Sequence, residues 1–312
     1  MSRNMKVLVA IDNRPSAQAT LDALVKMHWR QGTEIILVTV FPPGLEIEEA
    51  AYYEEMEGLA LELRNLLHHC KVSFFARHGD PKVVIMELAQ QSHVNLIVVG
   101  SNCKNSLERL LIGSVSQAIL NNAPCPVIVA KTPCCIAQQE APAFKNILLP
   151  IDNSVFSVAA VRWLANFHWA SDTKLIVLAV VENDTDLEQV HTSLNNRANE
   201  LAKYFKSGNI LTEIAIGEPQ QTIINMAKSY YADLIVMGSH GHTGFKKLIL
   251  GSVSQAVSQE APCAVAIVRG VAGSDKTLKR TGAFDKMKVL SSSDFGGFGS
   301  SSSSVHSMPG GF

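Results

Sequence analysis

Leu234-Ile235-Val236-Met237-Gly238-Ser239-His240-Gly241-His242-Thr243-Gly244, closed further on by Leu250-Gly251-Ser252, is the stretch that decides the fold. Its first four residues form an apolar run that reads as a buried strand. Val253 to Glu260 then has a helical pattern. Strand, glycine-rich loop and helix together make an arrangement that cradles phosphates. Glycine tolerates positive φ and lets an oxyanion approach the backbone. The first amides of the following helix lack partners and point at such an anion.

Working outward, the chain repeats itself. Met5-Lys6-Val7-Leu8-Val9-Ala10-Ile11-Asp12-Asn13 resembles Lys145-Asn146-Ile147-Leu148-Leu149-Pro150-Ile151-Asp152-Asn153. Gly79-Asp80-Pro81 resembles Gly217-Glu218-Pro219, and Asn95 to Ser101 resembles Asp233 to Ser239. Gly113-Ser114-Val115-Ser116-Gln117-Ala118 recurs letter for letter as Gly251 to Ala256, at an offset of 138 (251 − 113) that also separates Gly100 from Gly238. A period this long is a duplicated domain rather than a short solenoid unit.

Each copy alternates strand and helix patterns. The first copy predicts strands at Lys6–Ile11, Glu34–Phe41, Val72–Arg77, Leu96–Val99 and Val127–Ala130. Its helices are expected from Ser16, as N-cap, to Trp29, from Glu46 to His69, from the opening Gly79-Asp80-Pro81 to Gln91 and from Ser114 to Asn121. The second copy predicts strands at Asn146–Ile151, Lys174–Val181, Ile210–Ile216, Leu234–Met237 and Ala264–Val268. Its helices run near Val155–Trp169, Asp186–Lys206, Gln220–Tyr230 and Ser252–Glu260. Short apolar strands between helices imply an α/β fold with a parallel sheet covered on both faces. Ligands of such sheets bind outside the carboxyl ends of the strands, where strand order reverses.

The expected division is a first domain at 1–131, a linker at 132–144, a second domain at 145–270 and a tail at 271–312. The tail from Ser291 is dominated by Ser and Gly, a composition that cannot bury a core and reads as disordered. Its serines suit phosphorylation and its phenylalanines suit a partner anchor; the plainer reading is a solubilising tail. The 312 residues carry a formal charge of −1 and 47% hydrophobic residues, which excludes a basic nucleic-acid footprint and supports sizeable cores. No run approaches the roughly 18 apolar residues of a membrane span, and no signal-like segment opens the chain. None of the six cysteines forms a C-x-x-C pair, and Cys134-Cys135 is the one adjacent pair. A soluble cytoplasmic protein with reduced thiols is expected.

Both copies resemble the universal stress protein domain, over about Met5 to Ala130 and Lys145 to Arg269. The resemblance implies two tandem, doubly wound, five-stranded parallel-sheet domains of Rossmann-like (adenine nucleotide alpha hydrolase-like) architecture, paired through their last strands. Intramolecular pairing and a homodimer of chains are both compatible with it. The ATP-binding branch of that family writes its loop G-x2-G-x9-G-[S/T], matched here by Gly238, Gly241, Gly251 and Ser252. By resemblance, Asp152 reaches the adenosine part, the backbone of Val180 contacts adenine, and Gly238, Gly241, Gly251 and Ser252 hold phosphates. The expected binding set adds Pro150, Ile151, Met237, His240, His242, Gly244, Val253 and Ser254. The ligand implied is ATP, with ADP or AMP as alternatives and Mg2+ as a companion.

Two departures stand out. His242 replaces an arginine common in the family, and neutral imidazole attracts phosphate less than guanidinium does; Lys246 and Lys247 are nearby candidates to compensate. In the first copy Cys103 and Ser106 replace the equivalents of Gly241 and Gly244. A Cβ in a left-handed conformation costs roughly 1–2 kcal/mol, so the first copy is expected to bind weakly or not at all. His240-x-His242 also has the look of a metal pair, but no further ligand stands near; loop polarity beside phosphate is the plainer reading. A histidine there would sense pH through the phosphate. Asp152 has a second reading as a helix cap, a job that Ser154 can also do. No Walker lysine, nucleophile triad or general base stands out. The function that the resemblance implies is a stress-response regulator that binds nucleotide and works through an unidentified protein partner. A nucleotide-independent scaffold and a weak ATPase or self-phosphorylating enzyme are the alternatives.

Overall fold

The computed structural model describes residues 4–12, 14–44, 49–101, 112–131, 143–152, 154–181, 187–241 and 250–269. The first half runs β1 (Lys6–Ala10), α1 (Arg14–Lys26), β2 (Glu34–Phe41), α2 (Glu49–Leu66), β3 (Lys71–His78), α3 (Pro81–Gln91), β4 (Leu96–Gly100), α4 (Ser114–Asn122) and β5 (Val127–Ala130). The second half runs β6 (Asn146–Ile151), α5 (Val155–Leu164), β7 (Lys174–Val181), α6 (Leu187–Leu201), β8 (Ile210–Ile216), α7 (Pro219–Ser229), β9 (Leu234–Gly238), α8 (Ser252–Glu260) and β10 (Ala264–Val268). All ten expected strands form. The Ser16 expectation does not hold, because α1 begins at Arg14 and places Ser16 in its first turn. Trp29 and Trp169 lie beyond α1 and α5 rather than on them. Their indole N–H groups turn back to Leu24 O at 2.7 Å and Leu164 O at 3.1 Å, closing each helix end.

The strands form one ten-stranded sheet in the order β3-β2-β1-β4-β5-β10-β9-β6-β7-β8. Within each half every pairing is parallel. The halves meet antiparallel, with Val265 opposite Val129 and Ile267 opposite Val127. Central strands are apolar on both faces because helices cover both, and β5 and β10 are buried at every residue. Each face of the sheet is a single apolar cluster that draws residues from both halves. A second contact reinforces the junction: Trp29 meets Phe167 edge-on at 6.0 Å, and Phe167 packs on Trp163 at 4.6 Å.

The Gly-acid-Pro repeat builds the same corner twice. Gly79 at φ 137° and Gly217 at φ 152° occupy backbone that side chains rarely adopt, and their Cβ positions would strike Val84 and Thr222. The acid then caps the helix. Asp80 accepts from Lys82 N at 2.9 Å, and Glu218 accepts from Gln220 N at 3.0 Å and Gln221 N at 2.8 Å. Proline follows at the first helical position, where no amide hydrogen is needed.

Strand order reverses between β1 and β4, and between β6 and β9. In the first half the β1–β4 ladder continues to Ala10 opposite Val99. In the second half the β6–β9 ladder stops at Leu148 opposite Ile235. Pro150, at the position of Ala10, brings no amide hydrogen to the ladder beyond that point. The second half is thus the one whose strands part before their carboxyl ends.

Cys125 and Cys263 are buried, and burial pushes the Cys125 thiol up to about 12, so it stays protonated packing. Cys70 is pushed up to about 11 by its own burial. Cys134 and Cys135 lie outside the described residues.

The copies differ at the turn before β4 and β9. In the first, Asn95 accepts from Lys6 N at 2.8 Å. In the second, the Asp233 carboxylate accepts from Lys145 N at 2.8 Å and Asn146 N at 3.3 Å. Burial raises Asp233 from 3.8 to about 6, against the opposing pull of those amides and of the Lys26 charge. The folded chain therefore holds a proton that the unfolded chain releases. The stability this confers is complete below about pH 4 and lost as pH rises through about 6. Between pH 4 and pH 7 wild type should lose on the order of 2–3 kcal/mol relative to Asp233→Asn, since each tenfold change in proton affinity is worth about 1.4 kcal/mol. Urea unfolding of both proteins across this window checks it; parallel stability curves would refute the assignment.

Candidate functional site

The parted strands open a cavity of about 200 Å3 at the carboxyl end of the second half. Pro150, Ile151 and Asp152 line it from β6 and its exit, Val180 from β7, and Met237 and Gly238 from β9. His240 and Gly241 line it from the loop, and Gly251, Ser252, Val253 and Ser254 from the start of α8. Twelve of the fourteen residues expected from the sequence thus converge on one cavity. The other two, His242 and Gly244, lie outside the described residues, as do Lys246 and Lys247.

Asp152 is fixed by a short local bond, Ser154 N donating to its Oδ1 at 3.0 Å. It does not cap α5. Ser154 does, accepting from Ser157 N at 3.1 Å, which leaves Asp152 Oδ2 at the loop. A Cβ added to Gly241 would lie 2.8 Å from that oxygen. A Cβ on Gly238 would lie 2.7 Å from the backbone carbonyl carbon of Phe156. Neither glycine has positive φ, and Gly251 sits at φ −64°. The expectation of a left-handed backbone at Gly241 is corrected: space is what it supplies. Gly238 lets α5 lie on β9, and Gly241 lets the backbone pass beside Asp152 Oδ2.

The anion-seeking end of α8 is open. Gly251 is its N-cap and offers no side chain. The first helical bond runs from Gln255 N to Gly251 O at 2.8 Å. The amides of Ser252, Val253 and Ser254 precede that ladder, and all three residues face the cavity. Gly251 N is already used, donating to Ser239 O at 2.9 Å. The Ser254 hydroxyl is used too, donating to Gly238 O at 2.8 Å. Ser116 does the same for Gly100 O at 2.7 Å in the first half. This serine therefore pins helix to strand in both copies.

His240 lies over Phe156, ring centroids 4.9 Å apart, with Nδ1 3.1 Å from Ser239 Oγ. Asp152 and His240 are the titratable residues of the described lining. No group of three metal-ligating side chains occurs among the described residues.

Ser157, Pro219 and Ile223 complete the wall and were missed in the sequence. Pro219 belongs to the Gly-acid-Pro repeat, which read only as a helix start. Ile223 lies one turn on along α7, so a helix packed over the reversal point was the available signal. In the first half Gly113 caps α4 in the geometry of Gly251, at φ −61°. Cys103 and Ser106 lie outside the described residues.

The family model of the Universal stress protein family matches this chain twice, at residues 3–131 and 143–269. A universal stress protein of Mycobacterium tuberculosis is 27% identical over 253 residues, covering 74% of this chain and 83% of that protein. A putative universal stress protein of Staphylococcus aureus is 28% identical over 138 residues, 40% of this chain and 83% of its own. The crystal structure of a universal stress protein from Archaeoglobus fulgidus shares the fold, with a TM-score of 0.66 at 20% identity over 85% of this chain and 98% of that one. With two matches spanning most of its length and two copies of one α/β unit joined in a single sheet, the chain belongs to the universal stress protein family, in tandem form.

Proposed function

We propose that the second half binds an adenine nucleotide, ATP foremost, and that the protein is a regulatory binding module. One observation carries this reading: an acidic strand end, a β-strand backbone edge and three open helix amides line a single cavity. The amides and the dipole of α8 suit phosphate. Asp152 suits hydroxyl or amino hydrogens, as an acceptor held in place by Ser154 N. Pro150, Ile151, Val180, Pro219 and Ile223 give the flat apolar walls that a base requires. ADP and AMP satisfy the same base and ribose contacts. Mg2+ would rest chiefly on the phosphates, because Asp152 is the one carboxylate of the described wall.

In this reading the domains are 1–131 and 145–270, the first mainly a structural partner, joined by 132–144 and followed by the tail at 271–312. Loop occupancy alters the surface that a protein partner meets. Hydrolysis is slow or absent in this reading, since the sequence offers no Walker lysine and no nucleophile triad. The protein works in the cytoplasm; no helix of the described residues is long and apolar enough to cross a membrane.

One observation favours a nucleotide-independent scaffold instead. The Ser254–Gly238 and Ser116–Gly100 bonds hold the same frame in both copies, so the motif has structural value of its own. Mass spectrometry of small molecules released by heat from the purified protein separates the readings: adenine nucleotide for the first, none for the second.

Two outcomes are expected from calorimetric titration of the full chain. ATP binds with one tight site per chain, and two equally tight sites would overturn the assignment to the second half. Gly241→Val places its side chain against the Asp152 carboxylate and lowers affinity at least about tenfold, from more than about 1.4 kcal/mol of lost binding. A Gly241→Val protein that keeps wild-type affinity would remove the loop from the site.

A further inference from the structure

Lys131 follows β5 of the first half, yet its ammonium serves a helix of the second. Nζ donates to Gln259 O and to Ala261 O, each at 2.8 Å, and the residue is 7% exposed. Gln259 is in the last turn of α8 and Ala261 is its C-cap. The mirror contact is present: Arg269, which follows β10, donates from Nη2 to Leu120 O near the end of α4. Gln259 Nε2 donates to Gln117 Oε1 at 3.2 Å between the two helices. Each half's loop helix is thus closed at its carboxyl end by a cation from the other half.

The two caps differ in what lies at the far end of the helix. The amino end of α8 lines the cavity. We propose that Lys131 is a positioning residue for the second-half nucleotide site, supplied to it across the junction by the first half. This rests on the nucleotide reading above and adds the dependence of that site on its partner domain.

The physical case has two parts. α8 has nine residues and is about 13 Å long, short enough to move as a rigid unit. Its amino end has no side-chain cap. Past its carboxyl end the C-cap Ala261 is buried, 1% exposed, while Gln259 is half-buried. Without Lys131, the Ala261 carbonyl becomes a buried acceptor and the Gln259 carbonyl a half-buried one, and both regain partners most directly if the helix shifts. A shift there turns the amides of Ser252, Val253 and Ser254 away from Asp152. The Lys131 charge also complements the negative end of the helix dipole and attracts an anion at the other end, so both effects act in the same direction.

The experiment uses the full-length protein and three variants, Lys131→Met, Lys131→Arg and Arg269→Met. ATP affinity is measured by calorimetry, and backbone hydrogen exchange of α8 is measured without ligand. Lys131→Met should weaken ATP binding about three- to tenfold and speed exchange at the α8 amides. Lys131→Arg, which restores two donors and the charge, should recover both. Arg269→Met should leave ATP affinity within about twofold, because α4 serves the other half. If Lys131→Met does not fold, Lys131→Gln takes its place with the same expected direction. Wild-type affinity and exchange in the Lys131 variant overturn the proposal, as does an equal loss in Arg269→Met. If wild type binds no ATP, the nucleotide reading fails by itself. Exchange then decides for Lys131: acceleration confined to α8 supports the positioning role, and unchanged exchange overturns it.

Discussion

The antiparallel meeting of β5 and β10 is the contact on which the rest of the molecule depends. Alone, each half would end in a short, wholly apolar strand with one edge unpaired. Paired, those edges vanish into a continuous sheet, and each face becomes one core. The same pairing brings Lys131 beneath α8 and Arg269 beneath α4, so burial of the strand edges and closure of the helix ends are one event.

Within that frame the halves diverge through small substitutions at matched positions. Proline in place of Ala10's equivalent ends a ladder early and leaves space at a strand end. Phe156, where the first copy has Ser16, packs on Gly238 and carries the His240 ring. Asp233, where the first copy has Asn95, adds a buried charge to a turn that a neutral amide also closes. Both halves keep one fold through these changes: Pro150 lies one residue from the end of β6, Phe156 in the first turn of α5 and Asp233 just before β9.

Those apolar runs are why the fold was legible from sequence. Runs such as Leu175 to Val181, short and rich in β-branched residues, read as buried strands between helices, and the long repeat fixed the number of units. Helix ends were less legible: α1 and α5 stop before Trp29 and Trp169, because an indole folding back on a carbonyl leaves no mark in periodicity. The loop residues were visible because glycine and serine at fixed spacing are a local signal. Their reasons were not. Gly238 and Gly241 are set by Phe156 and Asp152, residues remote in sequence that only the folded chain brings close. Pro219, Ile223 and Lys131 escaped for the same cause, since their roles exist across helices and across the junction.

Because β5 and β10 run in opposite directions, the carboxyl ends of the two sets of strands point to opposite ends of the sheet. The backbone is nearly symmetric, but the object is not: it has a head, where the cavity opens, and a tail end, where the first copy presents a different sequence. The first copy's loop therefore lies at the end of the sheet opposite the cavity, while Lys131, after its last strand, reaches the helix that lines that cavity. Duplication in this arrangement frees one copy to change its surface while still holding its twin in shape.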